Sequence, residues 1–331
     1  MDNSYATHVL FLLWFFAASF SLSFCKVDSN ISCNEKEKHA LFRFKRGLID
    51  PWNTLSSWSE HEDCCRWAGV QCDNKTGRVR ELHLSSHSLH GEISPSLLEL
   101  EHLNYLDLSF NNFNCTCIPS FLGSMGRLRR LDLGFAGFCG LIPHQLGNLS
   151  GLHYLDLSDS DLYVDNLHWI LNPSLGFVNF TSLLALDLSL NFFNHEIPNW
   201  FSNLSTTLLE LDLSYNELKG EIPHGISNFQ NLESLSLGYN HLTGKIPESF
   251  GQLKHLTTLD LQHNSFNGSI PSSLGNLSYM SSLILCDNKL NGTLPKSLGV
   301  LSNLEQLDVK DNFLGGSVFH QTLQVKVPCH V

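Results

Sequence analysis

The sequence predicts a solenoid, in which short coils of chain each add one strand to a parallel β-sheet on a concave face. Three observations predict it. First, one segment recurs ten times: "VRELHLSSHSL" from Val79, "LNYLDLSFNNF" from Leu103, "LRRLDLGFAGF" from Leu128, "LHYLDLSDSDL" from Leu152 and "LLALDLSLNFF" from Leu183. It continues as "LLELDLSYNEL" from Leu208, "LESLSLGYNHL" from Leu232, "LTTLDLQHNSF" from Leu256, "MSSLILCDNKL" from Met280 and "LEQLDVKDNFL" from Leu304. The steps between starts are 24 or 25 residues, except one of 31, and a fixed period of this size marks units that stack on their neighbours. Second, leucines at the fourth and sixth places alternate with variable residues, so the leucines face inward and the others outward along a strand. Third, an Asn stands at the ninth place as Asn111, Asn191, Asn216, Asn240, Asn264, Asn288 and Asn312, where its amide can satisfy turn backbone. His87, Ala136 and Ser160 replace it, which leaves the N-terminal half of this ladder weaker. The expected fold is an α/β leucine-rich-repeat solenoid, a right-handed curved coil with a parallel β-sheet on the concave face.

Before the repeats, Val9 to Phe20 form a twelve-residue apolar run followed by small residues at Ser23 and Cys25. A membrane helix needs about 20 apolar residues, so residues 1–25 are expected to be a signal peptide, although the leader contains Asp2 and no Lys or Arg. No second run of membrane length follows, so no membrane-spanning segment is expected in the mature chain as given. The ten cysteines fit the oxidising compartment that a leader implies. N-x-S/T sequons at Asn30, Asn74, Asn114, Asn148, Asn179, Asn203, Asn267, Asn276 and Asn291 are the expected glycosylation sites. A formal charge of −12 and a pI near 5.7 exclude nucleic acid as a partner.

Residues 26–78 are expected to cap the open end of the solenoid, which would otherwise expose apolar surface. Ser32 and Glu35 stand at capping-box spacing, ahead of a helical apolar face through Ala40, Leu41, Phe44 and Leu48. Trp58 and Trp67 add apolar cover. Adjacent Cys64 and Cys65 rarely bond each other, and Cys33 and Cys72 are the available partners. No pair of spaced C-x-x-C motifs exists for zinc, so no metal site is expected. Cys115 and Cys117 compete for Cys139, one coil away, with free buried thiols as the alternative. Cys286 and Cys329 remain, with Cys329 the candidate left unpaired. The repeats are expected at 79–316, irregular at 158–182, followed by an atypical tail at 317–331.

Several copies continue as "G-x-I-P", at Gly220–Pro223, Gly244–Pro247 and Gly268–Pro271, often followed by "L-G-x-L". Here the chain resembles the plant-specific class of leucine-rich repeats. The segment "EKEKHALFRFKRGLIDPWNTLSSWSEHEDCCRWAGVQCDNKTGRVRELHLS" is similar to the N-terminal cap of plant leucine-rich-repeat receptor-like proteins, above all the group that perceives fungal xylanase. That resemblance implies disulfides Cys33–Cys64 and Cys65–Cys72. It also implies a receptor with one membrane helix and no kinase of its own, signalling in defence through a co-receptor kinase. The chain ends after ten coils without a membrane helix, so a truncated or abbreviated form is expected. The expected location is the secretory pathway and the apoplast, or the plasma membrane in a longer anchored form.

No H-E-x-x-H, G-x-S-x-G or phosphate-binding glycine loop appears, so neither enzymatic activity nor a cofactor is expected. The expected ligand-binding residues lie on the concave face: Tyr105, Phe110, Arg130, Phe135, Tyr154, Asp159, Glu210, Tyr215, Tyr239 and His263. With them stands the recurring Asp of the fifth strand place, at Asp107, Asp132, Asp156, Asp187, Asp212, Asp260 and Asp308, expected to be exposed and in like environments. Aromatics mixed with charge suit recognition of a protein or peptide. The alternatives are a secreted inhibitor resembling the polygalacturonase-inhibiting proteins, which the lack of a cysteine-rich C-terminal cap disfavours, and a poorly folding fragment.

Overall fold

The computed structural model describes residues 32–163, 180–198, 204 and 206–315. The expected leader, the tail from 317, the 164–179 part of the irregular stretch, and Asn30, Asn179, Asn203 and Cys329 lie outside the described residues.

Helix α1 (Glu35–Gly47) opens the cap. Its N-cap is Asn34, which accepts the Glu37 N–H at 3.2 Å, and this corrects the expected Ser32/Glu35 box. The reason is the disulfide Cys33–Cys64 together with Asp63, which accepts the Cys33 N–H at 3.0 Å and holds the preceding residues extended. Glu37 therefore takes the third helical place. It is fully buried and reaches across to the first repeat, accepting the Val79 N–H at 2.7 Å and pairing with Arg78 at 3.2 Å. Ala40, Leu41 and Phe44 are buried as the helical spacing predicts, and Trp58 and Trp67 stack at 5.2 Å within the cap. Cys65–Cys72 closes the loop that follows.

The long sheet has eleven strands: β1 (Val70–Cys72), β2 (Val79–His83), β3 (Tyr105–Asp107), β4 (Arg130–Asp132), β5 (Tyr154–Asp156), β6 (Ala185–Asp187), β7 (Glu210–Asp212), β8 (Ser234–Ser236), β9 (Thr258–Asp260), β10 (Ser282–Ile284) and β11 (Gln306–Asp308). Strand β1, from the cap, is antiparallel to β2; every later pair is parallel and in repeat register. The 31-residue step leaves the sheet unbroken, because Tyr154 pairs with Ala185 across it. The central leucines of β2 to β10, from Leu82 to Leu283, are at most 2 % exposed.

Behind this sheet the "G-x-I-P" segments form a second parallel sheet of five strands, from Lys219–Glu221 to Phe313–Leu314. Gly220, Gly244, Gly268 and Gly292 take φ between +76° and +79° there, a conformation only glycine adopts without strain. The prolines that follow each start a single 3₁₀ turn on the far side, whose apolar residue (Ile226, Phe250, Leu274 or Leu298) is fully buried. Cys115 bonds Cys139 across neighbouring coils, which decides the competition with Cys117, an exposed free thiol. Cys286 is a buried free thiol whose pKa burial pushes up to about 12.

The ninth-place asparagines run as a buried ladder. The Asn240 amide donates to the carbonyls of Leu213 in the preceding coil (3.0 Å) and Leu237 in its own (3.1 Å), and its oxygen accepts the Leu218 N–H at 3.0 Å. The substitutions are partly mended. His87 Nδ1 donates to the Ser85 carbonyl at 2.7 Å, and the Ala136 carbonyl accepts the Phe113 N–H at 2.8 Å. Replacing Asn240 by Ala strands the buried Leu218 N–H, while the Leu213 and Leu237 carbonyls keep the amides of Asn216 and Asn264, so Asn240→Ala is expected to cost about 1–3 kcal/mol in denaturant unfolding. A loss below 1 kcal/mol would show that the ladder contributes little.

Candidate functional site: the concave face

Register places one outward side chain per coil in a continuous row: Glu81, Tyr105, Arg130, Tyr154, Ala185, Glu210, then Ser234, Thr258, Ser282 and Gln306. The first part of this row is a built cluster. The Arg130 guanidinium carbon lies 3.5 Å from the centroid of Tyr154 and 5.5 Å from that of Tyr105, so the cation sits between two aromatic faces. Arg130 also donates to Asp132 at 2.9 Å, and the Tyr154 hydroxyl donates to Asp156 at 3.1 Å. His83 packs on Tyr105 with ring centroids 4.3 Å apart and meets Glu81 at 2.8 Å. Burial raises the Tyr105 hydroxyl to about 12 and the Tyr154 hydroxyl further, so both stay protonated donors. Glu210 lies two coils further on and is exposed.

The aspartate row corrects the expectation of exposed, equivalent carboxylates. Asp132 and Asp260 are buried, at 6 % and 8 % exposure. Each Asp is occupied two residues ahead in its own chain: Asp107, Asp156 and Asp212 accept both the N–H and the hydroxyl of Ser109, Ser158 and Ser214. Asp187, Asp260 and Asp308 accept the N–H of Ser189, Gln262 and Lys310. These carboxylates brace the end of each strand. Because coils stack only about 4.8 Å apart, they also crowd one another. Burial, then the charges of Asp156 and Asp107, raise Asp132 to about 7; burial raises Asp156, and burial with its neighbours Asp156 and Asp212 raises Asp187.

Phe110, Phe135, Asp159, Tyr215, Tyr239 and His263 stand together at the turn just beyond the strand, not on the strand itself. All six have φ between +44° and +53°, and Leu190, Asp287 and Asp311 at the same place have φ between +50° and +55°. That conformation costs of order 1–3 kcal/mol for a residue with a Cβ. It is held because each of the six donates its N–H to a carbonyl of the next coil, as Tyr215 does to Gly238 and Tyr239 to Gln262, both at 2.9 Å. Side chains then stack along the sheet edge: Phe110 on Phe135 at 4.9 Å, Tyr215 on Tyr239 and Tyr239 on His263 at 4.1 Å, with His263 against Asp287 at 3.1 Å. A cavity of about 520 Å³ opens beside this edge, lined by Asp159, Asp161, Phe192, Tyr215 and Tyr239 among others.

Sequence reasoning missed His83, Asp287 and Leu190, although repeat alignment places them in the same columns as the residues it chose. The sulfurs of Cys33, Cys64 and Cys65 cluster with Asp63, but all three are consumed in disulfides and offer no thiolate to a metal. The described sequon residues Asn74, Asn114, Asn148, Asn267, Asn276 and Asn291 are all exposed.

The raised aspartates predict a pH dependence. A carboxyl near 3.9 when unfolded and about 7 when folded binds its proton more tightly in the native state. Its stabilising contribution is complete below pH 4 and is lost as pH rises through 7. Melting temperature is therefore expected to be higher at pH 5 than at pH 7.5, and Asp132→Asn to shrink that difference by about 2 °C or more. Equal slopes in the variant and the parent would overturn this assignment.

Comparison with known proteins agrees with the geometry. Residues 34–73 match the leucine rich repeat N-terminal domain, and residues 102–125, 182–204 and 206–266 match leucine rich repeats. Receptor-like protein EIX1 of Solanum lycopersicum is 36% identical over 209 residues, covering 58% of this chain and 19% of that protein. Receptor-like protein EIX2 of the same species is 46% identical over 131 residues, 36% of this chain and 13% of that protein. The chain thus spans less than a fifth of the length of these curated relatives. The ectodomain of the Arabidopsis receptor kinase HAESA, solved with an N-terminally extended IDA peptide hormone, superposes with a TM-score of 0.71 at 32% identity, over 85% of this chain and 50% of that one. Among the described residues no helix is long and apolar enough to cross a membrane. The chain has the fold of a leucine-rich-repeat ectodomain, with an N-terminal cap and repeats similar to those of plant receptor-like proteins.

Proposed function

We propose that the chain recognises an extracellular protein or peptide through its concave face, as a plant receptor-like protein in defence signalling, and acts by binding rather than catalysis. The observation that carries this reading is the Tyr105–Arg130–Tyr154 cluster. It presents two aromatic rings and a guanidinium already fixed by packing and by Asp132, so little side-chain freedom is left to lose when a partner docks. HAESA, seen with its peptide hormone, supports a peptide partner. Similarity to EIX1 and EIX2 supports the receptor-like role, with entry to the secretory pathway, an extracellular or membrane-anchored site and a co-receptor kinase that carries the signal. Glycans on the exposed sequon asparagines and the cap at 26–78 belong to the same reading. No observation favours the inhibitor alternative.

The test is binding by the secreted, glycosylated chain to fungal xylanase and to a panel of plant secreted peptides. Arg130→Ala and Tyr154→Ala are each expected to weaken binding at least about tenfold, or about 1.4 kcal/mol. Lys296→Ala, on the far side of the coil, should leave it unchanged. Binding that ignores Arg130 and Tyr154 but responds to Lys296 would overturn the assignment of the face.

A further inference from the structure

A cleft of about 490 Å³ at the margin of coils one to three holds four arginines of a chain that has only 20 Lys and Arg against 32 Asp and Glu. The cations align because the repeat stacks them. Arg80, Asn104 and Arg129 occupy one column, joined by Asn104 N–H to the Arg80 carbonyl at 2.8 Å and Arg129 N–H to the Asn104 carbonyl at 2.7 Å. Arg78, His102 and Arg127 form a second column two residues earlier in each coil.

The existing partners neutralise only part of this charge. Arg78 pairs with the buried Glu37 at 3.2 Å, and Arg80 with Asp73 at 3.5 Å. Asp73 is already bonded to the Lys75 and Thr76 N–H groups and the Thr76 hydroxyl. Glu101 nearby is held by Lys36 at 3.2 Å. Arg127 donates to the His102 imidazole nitrogen at 3.1 Å, and Arg129 to the Gly151 carbonyl at 2.7 Å. Among the described residues neither guanidinium has a carboxylate within 4 Å. Both are exposed, and each retains free donors in the planar fork that matches a carboxylate.

We propose that this cleft binds an acidic peptide segment, whose carboxylates are taken by Arg127 and Arg129 with Arg80 as a third contact. Coils about 4.8 Å apart place Arg80 and Arg129, two coils apart in one column, about 10 Å from each other, within reach of carboxylates on alternate residues of an extended peptide, about 7 Å apart. The peptide class follows from continuity. Asn104 and Arg129 immediately precede Tyr105 and Arg130, so a chain lying along the concave row runs directly into the cleft. The partner's identity thus rests on the concave-face reading, whereas the anion site itself does not.

The experiment measures binding of hexaglutamate to the secreted full chain, with hexalysine as control and polygalacturonate as a competing polyanion. Saturable hexaglutamate binding is expected, weakening at least tenfold between about 50 and about 300 mM salt. An Arg127→Glu/Arg129→Glu pair is expected to remove it, while Arg46→Glu on the exposed side of α1 leaves it within twofold. Circular dichroism melting of the double variant should match the parent, since both side chains are exposed. No hexaglutamate binding, or binding unchanged in the double variant, overturns the proposal. Arginine-dependent binding of polygalacturonate without hexaglutamate also overturns it, in favour of a wall polyanion. If hexaglutamate binds through Arg127 and Arg129 while no protein ligand depends on Arg130 or Tyr154, the concave-face reading falls and the cleft stands.

Discussion

Everything in this fold depends on what happens to backbone polar groups at the turn after each strand. A coil must leave the sheet there while still inside the core, and unpaired buried N–H and C=O groups would cost about as much as the strand gains. The asparagine amide resolves this by bridging two coils: one oxygen accepts an N–H of the coil before, and one nitrogen serves carbonyls of both coils. The residue just before it takes the left-handed region with its N–H given to the coil after, and does so even where Ala136 or Ser160 replaces the asparagine. Each repeat is thus bonded in both directions, which makes the period rigid and the register exact to the residue.

That constraint also decides which side chains are available for recognition. Aspartates of the fifth place face the concave side, yet their oxygens are spent on the backbone N–H, and often the hydroxyl, of the residue two ahead, and their crowding is a cost at neutral pH. The strand row and the left-handed turn row are different. Arg130 between Tyr105 and Tyr154, and the stack of Tyr215, Tyr239 and His263, are packed against one another and still open on one side. Aromatics recur there because a flat ring stacks over its equivalent one coil away, so the repeat that builds the core also builds the contact surface.

Much of this was legible in the sequence. Period-two leucines and the ninth-place Asn determine strands, register and inward columns, because they are local and repeat. The cap helix face through Ala40, Leu41 and Phe44 was equally readable from its spacing. What was not readable depended on contacts between segments far apart in sequence. The start of α1 moved to Asn34 because a disulfide and Asp63 hold Cys33, and Glu37 is buried because Val79, 42 residues away, needs an acceptor. Burial of Asp132 reflects its neighbours on both sides, not its own pattern. The arginine columns need the alignment of positions 78, 102 and 127 with 80, 104 and 129, which emerges only once coils are stacked.

The most direct measurement is native-state hydrogen exchange of the amides that the asparagine oxygens accept, at Leu89, Leu162, Phe193, Leu218, Leu242, Phe266 and Leu290. None lies in the long sheet: Leu89, Phe193 and Leu218 are outside strands, where amides ordinarily exchange quickly, and Leu162, Leu242, Phe266 and Leu290 are in short strands behind it. If the ladder holds the coils together, they exchange as slowly as the strand amides of β7 to β9. Exchange at the rate of open loops, with the strands still protected, would show that strand pairing and leucine packing suffice and would contradict the account.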